Sequence, residues 1–153
     1  MRRFNFNAAD LQRDGDEPAG YDAAYALIGE AIGGEHLGGM LVELEAGQHS
    51  APYHWEAAIE EWVIVLEGRP SLRDPGGERE LRAGDVVCFG LGPSGAHRLT
   101  NRTSETARII MLSDRRTANV IVYPDSGKVG VRTPDLRANY QLETDVGSSD
   151  REP

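Results

Sequence analysis

Residues 51–68 read APYHWEAAIEEWVIVLEG, a histidine and several glutamates set among strand-forming residues. His54 and Glu56 stand two positions apart, so on an extended strand their side chains share one face and Trp55 takes the other. Glu61 follows His54 at an odd interval, which would put it on the opposite face of an uninterrupted strand. Residues 57–60 must therefore turn or bulge before a second strand begins. In that strand Glu61, Val63 and Val65 share one face, and Trp62, Ile64 and Leu66 share the other. Both faces are apolar, which predicts cover on both sides.

The neighbouring segments read the same way. MLVELE (40–45) ends at Ala46-Gly47, and SLRDPGGEREL (71–81) is a hairpin whose turn is Asp74-Pro75-Gly76-Gly77. DVVCFG (85–90), AHRLTN (96–101), ARIIMLS (107–113), NVIVY (119–123) and KVGVR (128–132) follow, the last pair joined by the turn PDSG. Eight or nine short strands at roughly ten-residue spacing predict an antiparallel sandwich or barrel. GEAIGGEHLGG (29–39) lacks the spacing of a phosphate-binding loop and reads as a loop leading into a strand.

With 153 residues the chain is long enough for one domain with a core of its own. Its net charge of −9 would repel phosphates, which argues against nucleic acid and anionic membrane surfaces as partners. No stretch reaches the ~18 apolar residues of a membrane span, and no apolar run follows Arg2-Arg3 as a signal peptide requires. The single cysteine, Cys88, precludes an intrachain disulfide and reads as a small core residue. These features predict a cytoplasmic protein. Asn101-Arg102-Thr103 matches a glycosylation sequon but reads as chance in that setting.

The spacing of His54, Glu56, Glu61 and Gly68, followed by Gly84, the loop DVVCFGLGPSGA, His97 and Asn101, resembles the two motifs of the cupin superfamily. The likeness spans about residues 38 to 131, and VYPDSGKVGV resembles the branch related to mannose-6-phosphate isomerase. It implies an all-β fold, the cupin double-stranded β-helix or jelly-roll barrel, with an N-terminal arm over 1–37, the barrel over 38–131 and an extension over 132–153. The arm is expected to hold little regular structure beyond one early strand, and the final GSSDREP to be disordered. The family's members commonly pair, so a homodimer is expected, the Trp62, Ile64 and Leu66 face needing cover.

In the family two histidines and a glutamate of the first motif and a histidine of the second bind one divalent metal. Carried over, His54, Glu61 and His97 match, and Glu56 stands where the second histidine belongs. Gly90 replaces a usual proline, and Pro93-Ser94 lengthen the second loop. Three roles for Glu56 stay open: a fourth metal ligand, a general base beside a three-ligand metal, or a hydrogen-bond acceptor in a metal-free barrel. The metal would be Mn, Fe or Zn. The resemblance implies a small-molecule-binding barrel, as a metal-dependent oxygenase, isomerase or lyase; the alternative is a non-catalytic ligand-binding or sensor cupin with a degenerate site. Outside the motifs, His49 and His36 read as solvated loop residues and Arg115-Arg116 as a solvated turn, Tyr53 as a flank of the pocket mouth and Lys128 as a surface lysine.

Overall fold

The computed structural model describes residues 1–115 and 118–142. Twelve short strands are present among them: β1 (Ala24–Leu27), β2 (Leu37–Leu44), β3 (Trp55–Glu56), β4 (Glu61–Glu67), β5 (Ser71–Asp74), β6 (Gly77–Glu80), β7 (Val86–Phe89), β8 (Arg98–Thr100), β9 (Ala107–Asp114), β10 (Asn119–Tyr123), β11 (Lys128–Arg132) and β12 (Arg137–Gln141). All pairings are antiparallel. One wall runs β1-β2-β9-β4-β7. The other is built from β6-β5-β8 and β12-β11-β10-β3, joined where the segment before β3 pairs with β8 through His49–Thr100 and His54–His97 bridges.

The walls face each other through alternate side chains, as period-2 strands require. Val42, Leu44, Val63, Val65, Ala107 and Ile109 from the first wall meet Leu72, Leu81 and Leu99 to form the core. This is the jelly-roll barrel that the family resemblance implied, within the antiparallel architecture that the strand spacing predicted, and the Asp74–Gly77 and PDSG turns sit where expected. Gly68, which closes the first motif, has φ of +77°, and a Cβ there would lie 2.8 Å from Ala107 Cα, so the close crossing of β9 requires glycine.

Several expectations need correction. Residues 29–39 are not a simple loop: Ile28–Ile32 form a short helix, α1, ended by Gly33 in the left-handed region, and β2 already begins at Leu37. The glycines permit this, because a Cβ on Gly29 would come within 3.1 Å of Gly39 N. The early strand expected in the arm is β1, on the edge of the first wall, and β12 forms the edge of the β12-β11-β10-β3 sheet. Cys88 is exposed on β7, and its neighbour Phe89 takes the core position. Within the single chain the outer face of β4 is not covered as predicted, since Trp62 remains 45% exposed. The expected disorder of the last residues, and Arg116, lie outside the described residues.

Candidate metal centre

His54 immediately precedes β3 and His97 immediately precedes β8, and the two backbones pair by reciprocal hydrogen bonds of 3.2 and 2.8 Å. That bridge sets the imidazoles side by side, with ring centroids 4.8 Å apart. Glu61 opens β4 on the opposite wall, paired with Phe89 of β7 and Ser113 of β9. The turn over 57–60 is what carries the chain from one wall to the other, as the odd spacing of His54 and Glu61 required. His54, Glu61 and His97 thus offer ligand atoms that all lie within 4.8 Å of one another.

The histidine tautomers follow from their hydrogen bonds. His54 Nδ1 lies 2.8 Å from Pro52 O, and His97 Nδ1 lies 2.9 Å from Gly95 O. A carbonyl only accepts, so each Nδ1 carries the proton and each Nε2 turns its lone pair to the centre. His97 is clamped further by Phe89, stacked 3.7 Å away at an interplanar angle of 5°. Glu61 Oε2 approaches His97 Nε2 to 3.3 Å and His54 Nε2 to 3.8 Å. With both Nδ1 atoms protonated these are approaches between acceptors rather than ion pairs. Glu61 Oε2 and His97 Nε2 are accordingly buried without a hydrogen-bond partner. Convergent buried lone pairs without donors are what a divalent cation satisfies, and two nitrogens with one carboxylate make a facial donor set. Burial and the neighbouring His97 hold the His54 pKa below its ordinary value, against the pull of Glu61, which favours the neutral ligand form.

Glu56 is not part of this cluster. It shares the inner face with His54, opposite Ile121 of β10, and has Oε2 buried without a hydrogen-bond partner. Burial, and then the charge of Glu61, push its carboxyl up to about 8, against the opposing effects of Asn119 and Arg132. Tyr123, one row along β10, places its ring 5.9 Å from that of His54. Nothing in the local pattern of NVIVY announces Tyr123 or Asn119 as site residues; the β3–β10 register puts them there. Of the weaker candidates, His49 is only partly solvated: its Nδ1 meets Thr100 Oγ1 at 2.8 Å and burial lowers its pKa. His36 and Lys128 are exposed, whereas Tyr53 is buried beneath the Arg73 guanidinium, 3.8 Å from its ring.

The second loop accommodates its departures by folding Pro93–Gly95 into a 3-10 turn. Asn101, which ends the motif, is fully buried. Its Nδ2 donates to Leu44 O and Glu105 O, and its Oδ1 accepts from the N–H and hydroxyl of Thr103. The sequon asparagine therefore has no free amide for a glycan.

A jelly-roll barrel carrying a His/Glu/His cluster of this geometry defines the class, and residues 40–113 match the cupin domain family. Residues 40–113 thus form a cupin domain, and the structural neighbours of the chain include cupin-superfamily proteins. It is similar to a provisionally assigned sugar phosphate isomerase from Acidithiobacillus ferrooxidans, with 27% identity, a TM-score of 0.78, and 83% of this chain and 81% of that chain covered. A sugar phosphate isomerase of the cupin superfamily from Silicibacter pomeroyi shares the fold at TM-score 0.83 and 22% identity, covering 96% of this chain and 98% of that one. The polyketide cyclase RemF of Streptomyces resistomycificus shares it more loosely, at TM-score 0.62 and 19% identity over 74% and 79% of the two chains. No curated protein is significantly similar to the chain in sequence. No described helix is long and apolar enough to cross a membrane.

Proposed function

We propose that this cupin is a divalent-metal isomerase of a small hydroxycarbonyl compound, with His54, Glu61 and His97 holding the metal and Glu56 moving the proton. The observation that carries this reading is the pairing of a convergent, donor-free ligand cluster with a further carboxyl, Glu56, on the same inner face as His54 and with Oε2 buried without a hydrogen-bond partner. Of the oxygenase, isomerase and lyase classes, the isomerase is favoured by the names of the similar proteins from Acidithiobacillus and Silicibacter. Mn, Fe or Zn at the cluster would supply Lewis acidity to a substrate oxygen. Glu56, as carboxylate, takes a proton from the carbon beside the carbonyl and returns it to the adjacent carbon. Phe89 and the Gly95 carbonyl keep His97 oriented, and Tyr123 walls the side facing His54.

The same reading includes a homodimer. Trp62 at 45% exposure lines an apolar cavity of about 430 Å³ with Leu37 and Leu112 on the outer face, which a second copy would cover.

Two measurements test the site. Elemental analysis of purified protein is expected to give near-stoichiometric Mn, Fe or Zn that is lost in His97→Ala. In D2O, a panel of hydroxycarbonyl compounds is expected to yield at least one that takes up deuterium beside its carbonyl, with Glu56→Gln blocking uptake while retaining metal. Metal binding without exchange on any compound would favour the non-catalytic ligand-binding or sensor reading, for which the replacement of a histidine by Glu56 is the support. Absence of metal would overturn the metalloenzyme.

A further inference from the structure

The register of the first wall leaves an open place beside Glu61. Gly38 pairs with Ser113 and Ser113 with Glu61, so the three form one row across β2, β9 and β4. The next row is Met40, Met111 and Val63, and the buried Val63 marks this face as the inner one. Pairing continues past β9, where the Arg115 N–H donates to His36 O at 2.8 Å, so Arg115 falls on the same face as Ser113. A Cβ on Gly38 would lie 3.2 Å from Ser113 Oγ and 3.7 Å from Arg115 Cγ. The missing side chain therefore keeps the approach to that row clear. A cavity of about 230 Å³ results, lined by Glu61, Met40, Met111, Ser113, Arg115 and Glu30 of α1, among others. One residue of the candidate metal cluster is thus part of its wall. The space equals that of about eight waters, which suits a short carbon chain.

Among the described residues, the Arg115 guanidinium donates one hydrogen bond, from Nη1 to Gly34 O at 2.9 Å. Its Nη2 lies 3.9 Å from Glu30 Oε1, near enough to attract the charge and too far for a hydrogen bond. Both side chains reach solvent, at 45% and 63% exposure, so this pair is weak. A backbone carbonyl thus steadies Arg115 while most of its donor fork stays available. A carboxylate entering the cavity displaces Glu30 and takes parallel N–H bonds from the guanidinium. Arg115 is the one cationic side chain among the described lining residues, beside the carboxylates of Glu30 and Glu61. That balance suits a singly charged planar anion better than a doubly charged one.

We infer that Arg115 receives the carboxylate of a short hydroxy or oxo acid in this cavity, that Glu30 competes for the same guanidinium, and that the acid's other oxygen is turned towards Glu61. Met40 and Met111 supply apolar sides for the carbon chain. The inference rests on the reading of His54, Glu61 and His97 as the substrate-binding centre, and it names the substrate class, a hydroxycarbonyl compound that is also a monocarboxylate.

Titration of the zinc-treated full chain with lactate, lactamide and inorganic phosphate, read by ligand-observed NMR, tests it. Lactate is expected to bind more tightly than its neutral amide and more tightly than phosphate. Arg115→Gln is expected to weaken lactate roughly tenfold and to leave lactamide unchanged. Arg115→Lys keeps the charge without the fork and is expected to weaken lactate by less. Glu30→Gln, which removes the competing carboxylate at an exposed position, is expected to tighten lactate about two- to fivefold. An Arg115→Gln chain with unchanged lactate affinity, a Glu30→Gln chain with weaker affinity, tighter phosphate than lactate, or no lactate binding at all would each overturn the assignment. Elemental analysis of the same samples reads the metal separately. A chain that takes up no zinc yet responds to both substitutions keeps the carboxylate site and loses the metal reading. One that holds zinc without that response loses the carboxylate site alone.

Discussion

Glu56→Gln separates the charge of this side chain from its shape. In the metal-free fold the carboxyl holds its proton up to about 8, whereas an unfolded chain releases it near the ordinary 4.5. Between those values the native state binds the extra proton, so stability must fall as pH rises and level off above about 8. At about 1.4 kcal/mol per tenfold change in proton affinity, the full displacement corresponds to a ceiling of ~5 kcal/mol. The carboxyl lines an open cavity and is only half-buried, and solvent screening reduces the effect to about 2 kcal/mol. Gln carries no charge, so the variant should match the natural protein at the acid end of that range and exceed it by about 2 kcal/mol at the alkaline end. Urea unfolding of chelator-treated protein across the range measures the gap. Added Mn is expected to close it, because a nearby dication favours the carboxylate. A gap that stays constant with pH, or a variant less stable at the alkaline end, would refute the picture of a carboxyl strained by burial and by Glu61.

Gly95→Ala places a Cβ 1.8 Å from the Gly90 carbonyl oxygen, so the second-motif loop must open and withdraw Gly95 O from His97 Nδ1. A loss of about 2 kcal/mol in stability and roughly ten- to a hundredfold in metal affinity is expected, read by thermal melting and metal titration. Asn101→Ala strips the buried amide that joins Leu44, Thr103 and Glu105 and is expected to cost roughly 3 kcal/mol, measured by urea unfolding. Trp62→Glu is expected to convert a dimer to monomer in sedimentation velocity. As a change at a half-exposed outer position it should alter monomer stability by less than about 1 kcal/mol.

Much of the architecture is written in local chemistry. The two-residue alternation of MLVELE, EWVIVLEG and ARIIMLS, with glycine- and proline-bearing turns between them, specifies strands because only a pleated backbone puts alternate side chains in one core. The spacing of His54 and Glu61 likewise demanded a reversal between them, and the fold supplies it over 57–60. The glycine-dotted 29–39 segment was less legible: its glycines mark loops equally well, and only the docking of α1 on β2 shows that they serve close packing.

Tertiary structure alone decided what stands across from each strand. Alternation says that Glu56 and His54 share a face, but not that Tyr123, Asn119 and Arg132 stand on the adjoining strands, because register between distant segments is set by global closure of the sheet. It also decided that Cys88 and Trp62 look outward while Phe89 and Val63 look inward, since both faces of β4 and β7 are apolar and the sequence carries no sign of which one meets the core. Sequence by itself thus determined the strands, the turns and the spacing of His54, Glu61 and His97. The fold determined that their lone pairs converge and that Glu56 shares the inner face with His54 outside that cluster.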